Sequence, residues 1–219
     1  MKVLLVFMLL CNLNVLMSQN INTITLTIIP IIQNNTVQIS HLNKDSVTIE
    51  TLKFYLTNFT LIKSEKVVWQ EMESYHLIDA SNSRSLSFKF NLRKNIEFDE
   101  IQFLLGTDSI TNVSGVLGGA LDPTRGMYWA WNSGYINFKL EGKSNSYPFE
   151  FHLGGYQSPH QTVQEINLKT TNTSKINITL NLSAFLDQLD LIKTYKIMSP
   201  SKDAQRLSRI LATLFNILD

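Results

Sequence analysis

Cysteine is almost missing from this sequence: Cys11 is the only one in 219 residues. It lies in an apolar leader, so a processed chain would carry none. That removes disulfides, thiolate zinc sites and cysteine nucleophiles together. An excess of either charge is missing too. The 19 basic and 18 acidic residues give a net charge of +1, and the basic residues are scattered rather than striped. There is no electrostatic case for nucleic acid or an anionic membrane. Beyond the leader, no apolar run approaches the roughly 20 residues that a membrane-spanning helix needs. Hydrolase signatures are lacking: Ser133 is not in a G-x-S-x-G elbow, and no Ser/His/Asp order is visible. Gly118-Gly119 and Gly154-Gly155 have neither the strand–loop–helix setting nor the lysine of a phosphate-binding loop. Glu97, Asp99 and Glu100 read as a solvated cluster, not as a catalytic carboxylate pair. A binding protein, not an enzyme, is the expectation.

What is present begins with that leader. Lys2 followed by the apolar run Val3 to Leu10, then Val15-Leu16-Met17, reads as a secretory signal peptide over 1–18, cleaved near Ser18. Large Leu10 in front of Cys11 argues against lipidation. Residues 19–219 then form one domain of 44% hydrophobic composition over the whole chain, enough for a sizeable core. Alternation predicts strands at Asn22 to Ile29 (ended by Pro30), Val47 to Ile62, Tyr75 to Ile78, Ser85 to Leu92, Ile101 to Gly106, Tyr135 to Leu140, Phe149 to Leu153, Thr162 to Leu168 and Lys175 to Leu182. From Ala204 the apolar spacing turns helical, with Ser201 and Asp203 at its start, giving a helix over 202–218. The expected fold is all-β: an antiparallel β-sandwich with a C-terminal helix. Thr107 to Asp122 lacks periodicity, and a loop of that length is ordinarily functional or packed on itself.

The richest stretch is Leu121 to Tyr156, which holds two of the 3 tryptophans. Read as a strand, Gly126 to Asn132 puts Met127, Trp129 and Trp131 on one face. In the later strand Phe149, Phe151 and Leu153 face one way, with Glu150 and His152 opposite. Core packing is the default for the indoles and the thioether, and a backbone-bonded edge residue is the default for His152. A neutral imidazole beside a soft thioether also suits copper. His41 and His160 sit in polar contexts and read as solvated.

The run GMYWAWNSGYINFKLEG followed by FEFHLGGY resembles the signature of the MbnP-like family, the methanobactin-associated, exported copper-binding proteins. TIETLKFYLTNFTL, SYHLIDA, IQFLLGTDSITNVSGVLGGALDP and IMSPSKDA agree with it, so the likeness spans about residues 22 to 218. It implies export to the periplasm or beyond and one mononuclear copper site. His76 and His152 would be its nitrogen donors, beside the Met127, Trp129 and Trp131 strand. It also implies that one tryptophan, with a lean to Trp129, is oxidised to kynurenine by a dihaem c-type cytochrome of the MauG type. The rival is a metal-free secreted module that binds carbohydrate or a protein partner on a Trp129/Trp131 platform.

Overall fold

The computed structural model describes residues 22–32, 35–36, 47–92, 96–171, 174–191 and 193–218. The expected leader, its cleavage point, Cys11 and His41 lie outside the described residues. In chain order the strands are β1 (Asn22–Ile32), β2 (Asn35–Thr36), β3 (Val47–Lys63), β4 (Lys66–Gln70), β5 (Tyr75–Asp79), β6 (Ser87–Leu92), β7 (Glu100–Leu105), β8 (Tyr128–Trp129) and β9 (Gly134–Ser144). They continue with β10 (Tyr147–Gly154), β11 (Gln164–Lys169), β12 (Lys175–Asn181), β13 (Lys196–Ile197) and β14 (Phe215–Leu218). Three helices, α1 (Ser109–Val113), α2 (Leu182–Leu186) and α3 (Lys202–Ala212), complete the set.

Two sheets form. The smaller runs β14-β12-β1-β2, with β6 also on β1; the larger runs β11-β7-β3-β9-β10-β13, with β4 and β5 on β3 and β8 on β9. Alternation drives the packing between them. Ile24, Leu26 and Ile28 from β1 meet Leu52, Phe54 and Leu56 from β3 in one buried core. Phe54 stacks on Phe138 at 5.7 Å and meets Phe215 edge-on at 6.1 Å.

The sandwich and the C-terminal helix are as expected, with two differences of detail. The sheets are mixed, because β1 pairs with β12 and β10 with β13 in parallel. Nothing in local periodicity distinguishes a parallel from an antiparallel neighbour. The helix also stops at Ala212, and Phe215 to Leu218 become a strand opposite Leu180 to Asn177. Ser201 caps the helix through a bond from the Ala204 N–H to its Oγ. Beyond Thr213 the free edge of β12 offers a ladder, and the alternating Phe215 and Ile217 suit a strand as well as a helix. Pro30, expected to end β1, lies inside it. β6 covers Asn22 to Thr27 and β2 covers Ile31 and Ile32, so the proline sits in the gap where its missing N–H breaks no antiparallel bond.

A buried polar network fixes the long connection after β7 to the large sheet. Asn137 Oδ1 accepts from the Thr107 N–H at 2.9 Å, and its Nδ2 donates to Thr162 Oγ1 at 2.9 Å. Asn112 Nδ2 donates to Thr107 Oγ1 at 3.0 Å while its Oδ1 accepts from the Tyr135 N–H at 2.8 Å. Gly106, at φ +108°, leaves the room that Asn137 Cγ needs. Gly106→Ala is therefore expected to lower unfolding stability by at least about 2 kcal/mol, through strain and through displaced Asn137. Denaturant unfolding checks it, and an unchanged midpoint would refute this account of the network.

Candidate functional site

The large sheet has two dressed faces. Its inner face holds the main core. Its outer face carries a second, smaller cluster of Tyr55, Leu121, Met127, Trp129, Tyr135 and Ile136, covered by the connection between β7 and β9. That connection is not structureless. It contains α1 and two short helical turns at Gly119–Leu121 and Pro123–Arg125. Side chains tie it down: the Tyr55 hydroxyl donates to Ala120 O at 3.1 Å, and the Tyr135 hydroxyl donates to Gly115 O at 3.2 Å.

Register decides where the candidate ligands point. Residues directly opposite in an antiparallel pair share a face. His152 stands opposite Lys139, Lys139 opposite Lys53, and Lys53 opposite Asp79. These four share the outer face. His76 stands opposite Leu56 and alternates with Leu77, next to inward Ile78, so it projects from the inner face. Its ring contacts agree: it stacks on Phe88 of the other sheet at 3.8 Å and meets Phe59 at 5.5 Å. The structure thus does not bring His76 and His152 to a common point. A sheet separates them, and the paired-histidine arrangement expected from the sequence is not formed. Among the described residues, no group of three or more His, Cys, Asp or Glu is placed to hold a metal ion.

Each histidine has its own carboxylate. His76 Nε2 meets Glu71 Oε2 at 2.8 Å, and His152 Nε2 meets Glu141 Oε1 at 2.7 Å. His152 is only 5% exposed. Burial, foremost, pushes its imidazole below the usual histidine range; the Lys139 charge adds to this, and the Glu141 bond opposes it. Burial alone would raise the Glu141 carboxyl. Hydrogen bonds from Thr51 and His152 with the Lys139 charge outweigh it and hold that carboxyl below its ordinary value. A neutral, oriented imidazole results.

The tryptophan strand is shorter than its alternation suggests. β8 ends at Trp129, and Ala130 to Ser133 turn back so that Trp129 pairs with Gly134. Trp129 is 5% exposed and Trp131 is 65% exposed, so the shared face with Met127 is not formed. The two indoles still touch, their ring centroids 5.5 Å apart. Trp129 packs on Gly154, where an added Cβ would lie 2.7 Å from its Cζ3. Gly154 is two residues beyond His152 on β10, on the same face. Met127 is fully buried within the outer cluster. Two buried nitrogens, Trp129 Nε1 and His160 Nδ1, have no hydrogen-bond partner among the described residues. His160 lines a cavity of about 250 Å³ with Asn132, Gly155, Tyr156, Gln157, Ser158 and Pro200. The polar SPHQT context concealed it; the adjoining Gly154-Gly155 was the available signal of close backbone approach.

The protein is thus a two-sheet mixed β-sandwich with an aromatic cluster and a buried imidazole on the outer face of its large sheet. The chain belongs to the MbnP family, whose model matches residues 21–199. The solved structure of MbnP from Methylosinus trichosporium shares the fold at a TM-score of 0.57 and 11% identity, covering 77% of this chain and 78% of that one. No curated protein matches the chain. Among the described residues no helix is long and apolar enough to cross a membrane.

The outer cluster also gives a pH signature. Burial, foremost, raises the Tyr55 phenol well above its ordinary value, and the neighbouring Tyr135 adds to it. An acid raised in the folded state contributes stability that is intact below its unfolded pKa of about 10. That stability is lost as pH rises above this value. Wild-type unfolding free energy should therefore fall between pH about 9 and about 11, and Tyr55→Phe should fall less steeply. Equal slopes in denaturant titrations would show that the phenol is not held neutral by burial.

Proposed function

We propose that this protein is an exported copper-binding protein that captures, buffers or delivers copper outside the cytoplasm, and that it holds the ion on the outer face of its large sheet. The observation that carries this reading is that Trp129, its indole N–H buried and without a partner among the described residues, packs on Gly154, two residues along β10 from buried His152. A ligating histidine ordinarily donates its other ring nitrogen to a carboxylate, and Glu141 does this for His152. In this reading His160, whose Nδ1 is buried without a partner among the described residues and which lines a cavity with Gly155, is the candidate for the second imidazole in place of His76. His76 stacks on Phe88 on the far side of the sheet and does not reach this face. Met127 acts as packing beneath the site, not as a ligand.

Trp129 is the residue we assign to oxidation. Oxidative cleavage of the indole C2–C3 bond, with dioxygen or peroxide as the oxidant and C2 leaving as formate, would turn the orphaned indole nitrogen into an aniline nitrogen and add a ketone carbonyl, both able to meet copper or a polar neighbour. A dihaem c-type cytochrome is the partner proposed to carry this out, and exposed Trp131 marks where it would approach. The platform reading is weaker because Trp129 is sealed, which leaves a single exposed ring.

Copper titration of the mature protein from its native host tests the reading. His152→Ala and His160→Ala should abolish tight binding, and His76→Ala should retain it. Glu141→Gln should weaken affinity by about 10- to 100-fold. Tight binding unchanged in both His152→Ala and His160→Ala would reject the site. Peptide mass spectrometry of the same material should find kynurenine at position 129.

A further inference from the structure

Lys53 and Lys139 stand directly opposite each other in the β3–β9 ladder, where like charges ordinarily destabilise. Each ammonium has its own carboxylate: Lys53 Nζ lies 3.0 Å from Asp79 Oδ2, and Lys139 Nζ lies 3.3 Å from Glu141 Oε1. With remaining donors they reach consecutive carbonyls of the covering segment. Lys53 donates to Arg125 O at 3.3 Å and Lys139 to Gly126 O at 3.4 Å. The segment that these carbonyls lead into is weakly paired. β8 is two residues long, opposite Tyr135 and Gly134, with one more backbone bond from the Ile136 N–H to Met127 O at 2.9 Å. So short a ladder has little stability of its own, whereas hydrogen bonds from a charged donor are the stronger kind. Glu141 extends the chain of contacts by accepting from His152.

We propose that Lys53 and Lys139 are positioning residues, a two-point clamp that seats Met127–Trp129 over Gly154 and, through Glu141, keeps Trp129 and His152 in one frame. The inference rests on the copper reading only for its functional consequence; the clamp itself is a property of the metal-free chain. The tilt of Trp129 against Gly154 is then set by the lysines together with packing in the outer cluster, and the repulsion between the lysines is offset by the two carboxylates and the two carbonyls.

Hydrogen–deuterium exchange of the full metal-free chain tests the clamp, and copper titration of the same samples tests its consequence. The Lys53→Met/Lys139→Met double variant should speed exchange of the Ile136 amide and of the β8 amides by about tenfold or more. Amides of β1 and β12 should be unchanged. Lys139→Arg, which keeps a charged donor, should restore protection, and Lys143→Met, which loses only the exposed pair with Glu50, should match wild type. Copper affinity should fall by about tenfold in Lys139→Met and return in Lys139→Arg. If the double variant does not fold, the single replacements carry the same comparison. Unchanged exchange in the methionine variants overturns the clamp. Faster exchange in them, with no copper bound even by wild type, upholds the clamp and retires the copper reading.

Discussion

The alternation of side chains along β3 is the constraint from which the rest of the structure follows. Leu52, Phe54 and Leu56 turn inward to the main core, while Lys53 and Tyr55 turn outward. A half-buried strand would ordinarily leave that second set in water. Here Tyr55 and Lys53 instead hold a covering segment through Ala120 O and Arg125 O. One strand therefore organises two cores on opposite faces of the sheet. The same alternation puts His76 and His152 out of reach of each other, because no side-chain rotation carries a group through a hydrogen-bonded sheet.

Magnitudes separate the ordinary from the unusual on the outer face. Burying an indole removes about 150–250 Å² from water, worth roughly 4–6 kcal/mol at about 25 cal/mol per Å². An unpartnered buried N–H costs about 1–3 kcal/mol. Packing thus wins at Trp129 and the arrangement folds, yet the orphaned group remains a deficit. Close by, Asn112 and Asn137 show that this chain can satisfy buried polar atoms fully. The indole nitrogen of Trp129 and the imidazole Nδ1 of His160, like Asp99 Oδ1, are left without a partner among the described residues.

What the sequence made legible, and what it did not, divides along the range of the interaction involved. Strand positions and the parity of Phe149 to Leu153 depend on neighbours one or two residues away, and the outward turn of His152 was readable from them. The face of His76 depends on pairing with Leu56, twenty residues earlier in the chain, so the sequence offers a histidine of the right type without the side of the sheet it occupies. Alternation through Met127, Trp129 and Trp131 was locally consistent, but the turn at Ala130 to Ser133 overrode it. Ser133, at φ +47°, takes the left-handed conformation that such a reversal demands. The parallel pairing of β1 with β12 joins residues about 150 positions apart, and local patterns carry no trace of it. The polar loop context of His160 reads as solvent, yet its Nδ1 is buried, beside a cavity that Gly155 and Pro200 also line.

The proposed site on the outer face would have an energetic logic. The main core is continuous across both sheets and includes the aromatic contacts of Phe54, Phe138 and Phe215. The outer cluster shares no buried residue with it. Rearrangement or oxidation of Trp129 would therefore disturb only the smaller cluster and its side-chain tethers, leaving the larger store of burial energy untouched. A copper ligand set built instead around His76 would lie among Phe59, Phe88 and Phe90 between the sheets. There every change in coordination would be felt by the main core through the stack on Phe88 and the contact with Phe59. On the outer face it would be felt first by the covering segment.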